Sequence, residues 1–246
     1  MPTSKNRWIL LRGLARGKGH WGSFPEDMQK FFPEAQIEML DLPGNGERHQ
    51  EQSLLSMSEY VQDLRSRSHL VKDGKSFQIL AISLGGMVAI QWMREFPNEV
   101  SKLHLICTST ASTSPFYHRY QKENYLPTLR LFLDPTIEKM ERTILEMTTN
   151  NLQRRQQFFM EFVEYSKKYP ELRGNVLRQL IAASRFRIPQ KPPGEINLLG
   201  SYGDRLVSPK CTLRLGKRWG IEPKMHDAAG HDIPIDDPQW VLEHLL

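Results

Sequence analysis

Ser83 stands in the run Ala81-Ile82-Ser83-Leu84-Gly85-Gly86, between an apolar stretch from Phe77 to Leu80 and a helix-like pattern from Met87 to Phe96. A serine at a sharp strand-to-helix turn has its hydroxyl held outside the sheet. The small residues Ala81 and Gly85 let the backbone turn without clashes, and the helix N-terminal amides point at negative charge developing beside the hydroxyl. That is the arrangement of a nucleophile. Small-x-Ser-x-Gly matches recur by chance, and the first small residue here is alanine where glycine is usual. The weight therefore rests on the other groups that acyl transfer needs: a base, an acid to orient it, and donors for an oxyanion. His231, in Ala229-Gly230-His231-Asp232, follows the strand-like run 222–227 and supplies the base. Asp204, in Gly200-Ser201-Tyr202-Gly203-Asp204, lies just beyond another strand-like run and supplies the acid. Asp227 and Asp232 are the competing carboxylates. Both are too close in sequence to His231 to orient it from a separate loop.

Three residues so far apart need a scaffold that gathers distant loops. Short apolar runs alternate with longer amphipathic segments, the pattern of an α/β protein with a mostly parallel sheet. The runs predict strands near 7–12, 36–41, 77–82, 102–108, 195–201 and 222–227, and helices near 23–32, 57–70, 85–96, 209–219 and 238–245. Pro33, Pro43-Gly44, Asp73-Gly74, Pro97, Pro192-Pro193-Gly194 and Gly230 punctuate them. Ser83, Asp204 and His231 then each follow a strand. From about 111 to 194 the strand signal vanishes, and helical stretches fall near 116–124, 135–150, 151–168 and 172–185. The expected division is a core of residues 1–110 and 195–246, with residues 111–194 as a helical cap inserted before the last two strands. Open α/β sheets bind ligands at the C-terminal edge of the sheet, which such a cap would cover.

Composition narrows the function classes. At 246 residues the chain can bury a full core and carry an insertion, and 39% hydrophobic with 25% charged residues is ordinary for a globular protein. No apolar run approaches the roughly 20 residues that span a bilayer. The first apolar stretch, Trp8 to Leu11, is too short for a signal segment, so a cytoplasmic protein is expected. Two cysteines, Cys107 and Cys211, form no disulfide framework, and the eight histidines show no metal-ligand spacing. Glycine-rich phosphate loops are missing as well. Neither metal nor organic cofactor is expected. Residues 111–194 hold 14 basic and 8 acidic residues, a balance of +6 against +5 for the whole chain. The basic character thus belongs to the inserted segment, as solvated helix faces or as a landing surface for an acidic partner. No groove-reading motif accompanies it, which argues against nucleic acid.

Five ordered blocks make the chain resemble the α/β-hydrolases over nearly its whole length. Arg12-Gly13-Leu14 with Trp21 is similar to their oxyanion loop, and Asp41-Leu42-Pro43-Gly44-Asn45-Gly46 to the turn after the next strand. Ser83-Leu84-Gly85-Gly86 resembles the elbow, with Phe96-Pro97-Asn98-Glu99-Val100 as the helix exit; Gly203-Asp204 and Gly230-His231 resemble the acid and base loops. The resemblance implies a Ser83–His231–Asp204 triad, with the backbone N–H groups of Leu14 and Leu84 as oxyanion donors. Gly13, His20 and Trp21 are implied near the substrate pocket, although a packing role suits His20 equally, and Asp41 is implied as a structural turn residue. Arg12 departs from the pattern, standing where the family usually has histidine. The usual two strands before the oxyanion loop have no counterpart, so a reduced sheet of about six strands is expected. The implied activity is cleavage of a carboxylic ester or thioester on a small molecule, without cofactor. Within the family the chain is similar to small bacterial carboxylesterases, among them the esterase acting on pimeloyl-carrier-protein methyl ester. That likeness would make Arg119, Arg130, Arg142, Arg154 and Arg155 a docking surface for an acidic carrier protein. A ligand-binding protein that keeps the fold without turnover is the alternative from another class.

Overall fold

The structure, a computed structural model, describes residues 6–133, 136–188 and 190–246. Residues 1–5 and the first residue of the helix expected over 135–150 lie outside them. Six strands form one all-parallel sheet: β1 (Arg7–Leu11), β2 (Gln36–Leu40), β3 (Phe77–Ile82), β4 (Val100–Ile106), β5 (Glu195–Ser201) and β6 (Lys224–His226), in the spatial order β2-β1-β3-β4-β5-β6. The central strands β1 and β3 are buried along their whole length. This is why they read as continuous apolar runs: a parallel strand covered on both faces has no polar side.

Alternate residues feed two cores. Ile9, Leu11, Ile79, Ala81, Leu103 and Leu105 face α2 (Met57–Arg67) and α4 (Leu84–Glu95) on one side of the sheet. Trp8, Leu10, Leu80, Ile82 and Ile106 face α1 (Phe24–Phe31) and α12 (Pro238–Glu243) on the other. The period of two along each strand produces this division.

The described boundaries differ from the sequence reading where tertiary contacts intervene. The helix expected over 57–70 breaks into α2 and α3 (His69–Lys72). There the Glu38 carboxylate of β2 accepts the amides of His69 and Leu70 and the hydroxyl of Ser68, so a new helix start is satisfied from outside the segment. Strand β4 runs two residues earlier than expected and stops at Ile106, because Cys107 takes φ 49° and turns the chain. Between β4 and β5 lie α5 (Phe116–Arg119), α6 (Tyr125–Leu133), α7 (Ile137–Thr148), α8 (Leu152–Lys168) and α9 (Arg173–Arg185). The stretch 116–124 is not one helix, since Tyr120 and Gln121 are extended, and α6 had no counterpart in the periodicity. After β5 come α10 (Lys210–Trp219) and, past β6, the short α11 (Ile233–Asp236).

Candidate active site

Ser83 occupies the turn between β3 and α4 with φ 53° and ψ −112°, a conformation that a side chain with a Cβ rarely adopts. Its N–H donates to Ile106 O at 2.9 Å, tying the turn to the end of β4. The turn also requires Gly85, since a Cβ there would stand 2.5 Å from the carbonyl oxygen of Arg12 and 2.7 Å from that of Leu11. Ser83 is half-buried. Leu84 is the first residue of α4, and its N–H is one of the initial helix donors without an intrahelical acceptor.

The loop after β1 crosses in front of the serine. A Cβ at Gly13 would lie 3.3 Å from Ser83 Cβ, so glycine allows the close approach. Beyond half-buried Leu14, Ala15 takes φ 54°, and its N–H donates to Gln179 Oε1 of α9 at 2.9 Å. Asn45, fully buried, donates to Arg16 O at 3.2 Å and accepts from Gln179 Nε2 at 2.5 Å. The loop is therefore held by the turn at Asn45 and by α9 together. Nothing local marks Gln179 in the sequence. Asn45 was visible only as a turn residue.

Asp204 and His231 meet. The Asp204 Oδ2–His231 Nδ1 distance is 2.7 Å, and Asp204 Oδ1 accepts the N–H groups of Leu206 at 2.9 Å and Val207 at 2.8 Å. The carboxylate is thus fixed by two amides on one oxygen and presents the other to the imidazole. Both side chains are buried. Among the described residues no hydrogen bond joins His231 to Ser83 Oγ; such bonds are often long before a substrate is bound. Of the competing carboxylates, Asp227 is exposed and Asp232 is turned to Arg12. Asp41 is occupied by the amides of Lys18 at 2.6 Å and Glu47 at 2.9 Å.

Arg12 is the residue whose partner the sequence concealed. Its guanidinium donates to both oxygens of Asp232, at 3.0 and 2.5 Å, and lies 4.9 Å over the Trp21 ring. Both ions are buried. Trp21 is itself fully buried and stacks on Phe24. His20 is buried beneath α8, in a hydrogen-bonded chain with an inferable proton order. Gly17 N–H donates to His20 Nδ1, which leaves the proton on Nε2, facing Ser166 Oγ at 3.3 Å; that hydroxyl donates to Glu141 Oε1 at 2.7 Å. Arg16 donates to both Glu141 oxygens, at 2.8 and 2.7 Å. Burial, then the charge of Arg16, hold the His20 imidazole down at about 4. Burial would raise Glu141, but Arg16 and His20 outweigh it and keep that carboxyl at about 2.

One described group has metal-ligand spacing: Cys107, Asp204 and His231, with ligand atoms within 4.8 Å of one another. Burial, reinforced by Asp204, pushes the Cys107 thiol well above its ordinary range, which opposes ligation through a thiolate.

The five arginines noted between residues 111 and 194 differ in exposure. Arg119 turns inward to Ala183 O at 2.8 Å, Arg154 and Arg155 are half-buried, and Arg130 and Arg142 are exposed. No helix among the described residues is long and apolar enough to cross a membrane.

Comparison with known proteins places these features in context. A family profile described as alpha/beta hydrolase fold matches residues 9–195, ending before Asp204 and His231. The biotin biosynthesis bifunctional protein BioHC of Teredinibacter turnerae is 23% identical over 159 residues, 60% of this chain, which spans only 27% of that protein. Among solved structures, a thermophilic esterase from Thermogutta terrifontis superposes with a TM-score of 0.70 at 15% identity, covering 98% of this chain and 88% of that one. Cfl2 of Burkholderia cenocepacia gives 0.77 at 16%, covering 98% and 86%. The 2-hydroxy-6-oxo-6-phenylhexa-2,4-dienoate hydrolase of a Rhodococcus species gives 0.71 at 17%, covering 97% and 89%.

Proposed function

The chain belongs to the α/β-hydrolase fold family, and we propose that it is a serine hydrolase cleaving a carboxylic ester or thioester. The observation that carries this reading is the 2.7 Å contact between His231 Nδ1 and Asp204, whose other oxygen is fixed by two backbone amides. An imidazole so oriented exposes Nε2 as a base. Ser83 Oγ attacks the carbonyl carbon and gives its proton to His231, while Asp204 stabilises the imidazolium. The N–H groups of Leu14 and Leu84 receive the oxyanion. His231 returns the proton to the leaving group, and water then releases the acid through the same steps.

Gly13 borders the nucleophile directly in this reading, whereas His20 and Trp21 support the loop from behind. Residues 111–194 act as the cap over residues 1–110 and 195–246, consistent with Asn150 donating to Gly203 O and Ala228 O beside the acid and base loops. A carrier-linked ester is a narrower version of this function, favoured by the basic balance of the insertion and by the likeness to a biotin biosynthesis protein. Exposed Arg130 and Arg142 are then the groups to contact an acidic carrier.

Hydrolysis of p-nitrophenyl esters from acetate to palmitate, by wild type and Ser83→Ala in parallel, tests the assignment. Turnover should fall at least about a thousandfold in the variant. Equal rates in the two would refute Ser83 as nucleophile.

A further inference from the structure

Two buried carboxylates lie near His231: Asp204, which reaches it from the loop after β5, and Asp232, the next residue in the chain. They share one neighbourhood. The charges of both act on the Cys107 thiol, and its sulfur lies within 4.8 Å of a ring nitrogen of His231 and an oxygen of Asp204. An unpaired Asp232 would therefore be a second negative charge in the neighbourhood of the imidazole. Its two oxygens are instead both taken by Arg12, which comes from the end of β1. Asp232 N–H is held by Thr148 O at 2.8 Å, so the residue is anchored on both its main chain and its side chain.

We propose that Arg12 is a positioning residue that neutralises Asp232, leaving Asp204 as the sole carboxylate partner of His231 and setting the charge under which the base works. The inference rests on the proposed serine-hydrolase function. Arg12 adjoins Gly13, which packs on Ser83, and grips the residue adjoining His231. One buried ion pair, between residues 220 apart in sequence, thus joins the oxyanion loop to the base loop. Other titratable groups of the described residues beside this loop have partners: His226 Nδ1 accepts the amides of Ala228 and Ala229, and its Nε2 meets Asp237 Oδ2 at 3.2 Å. Asp236 accepts the amides of Gly230, Asn150 and Asn151, and Cys107 is held as a neutral thiol.

The test is a pair of opposite perturbations and their combination. Arg12→Met leaves Asp232 unpaired, which favours the imidazolium, so the acid limb of the pH–rate profile should move to higher pH by about one unit or more. Asp232→Asn leaves Arg12 unpaired, which disfavours the imidazolium, so the limb should move to lower pH. The double variant, with neither charge, should return the limb to its wild-type position. A purely structural role lowers rates without moving the limb in opposite directions. Wild-type limbs in both single variants, or shifts of the same sign, overturn the proposal. If Arg12→Met does not fold, Asp232→Asn and the double variant carry the same test, and an unmoved limb in Asp232→Asn is then the refuting result. The wild-type and Ser83→Ala comparison decides the hydrolase reading separately. If the wild type lacks turnover, imidazole nitrogen NMR of His231 reads the same opposed shifts without catalysis.

Discussion

The proposed catalysis depends on a few backbone and side-chain restraints that can be removed singly. The amides of Leu206 and Val207 hold Asp204 so that its free oxygen meets Nδ1 of His231. Asp204→Asn keeps the size but can offer an amide N–H to Nδ1, which favours the wrong tautomer. The rate of ester hydrolysis should fall by about 10⁴ while the fold is retained, as read by kcat beside a circular dichroism spectrum. A loss below about tenfold would remove Asp204 from the mechanism. The sequence disclosed this pair through its loop motifs, because each motif is local. It could not disclose that Arg12 meets Asp232, since an ion pair between residues 220 apart has no local signature. For the same reason the hold of Gln179 on the loop after β1 was invisible.

Elements were legible in proportion to how little they depend on distant partners. Strands β1 and β3, wholly buried, announced themselves as apolar runs, and α4 followed from its punctuation. The division of α2 from α3 did not, because the acceptor that satisfies the new helix start is Glu38 on another element. The elbow between β3 and α4 gives the sharpest prediction at this scale. A methyl group at Gly85 would press on the backbone oxygens of Arg12 and Leu11, and these atoms cannot swing away. Gly85→Ala should destabilise by about 1–3 kcal/mol. At Gly174, near the start of α9, an added methyl group would meet nothing within 4 Å, and the backbone has no left-handed φ. Gly174→Ala should therefore stabilise by up to about 1 kcal/mol. Thermal unfolding of the two variants reads the contrast, and equal midpoints would contradict it.

For the whole molecule, the buried chain Arg16–Glu141–Ser166–His20 is one of the links between the helices that follow β4 and the loop after β1. Its pH dependence has a definite sign. In the folded state His20 resists protonation until about pH 4, whereas an unfolded histidine takes up its proton near the ordinary 6.5. Protonation therefore favours the unfolded chain as pH falls through this window. Relative to His20→Asn, the wild type should lose up to about 3 kcal/mol between those limits. Any stability advantage of the wild type at neutral pH must shrink on acidification, as followed by urea unfolding at several pH values. A difference that stays constant would show that His20 protonates as readily folded as unfolded. Glu141 acts lower still: its folded pKa is depressed to about 2, so its contribution is present above the ordinary carboxylate value of 4.5 and is lost as pH falls toward 2.

The central claim is that Ser83 is an activated nucleophile, and a fluorophosphonate probe tests it without knowledge of the natural substrate. Wild-type protein should be labelled on the peptide containing Ser83, with labelling abolished in Ser83→Ala and strongly slowed in a folded His231→Ala variant. A well-folded wild type that takes no label, or takes it equally without His231, would contradict the account.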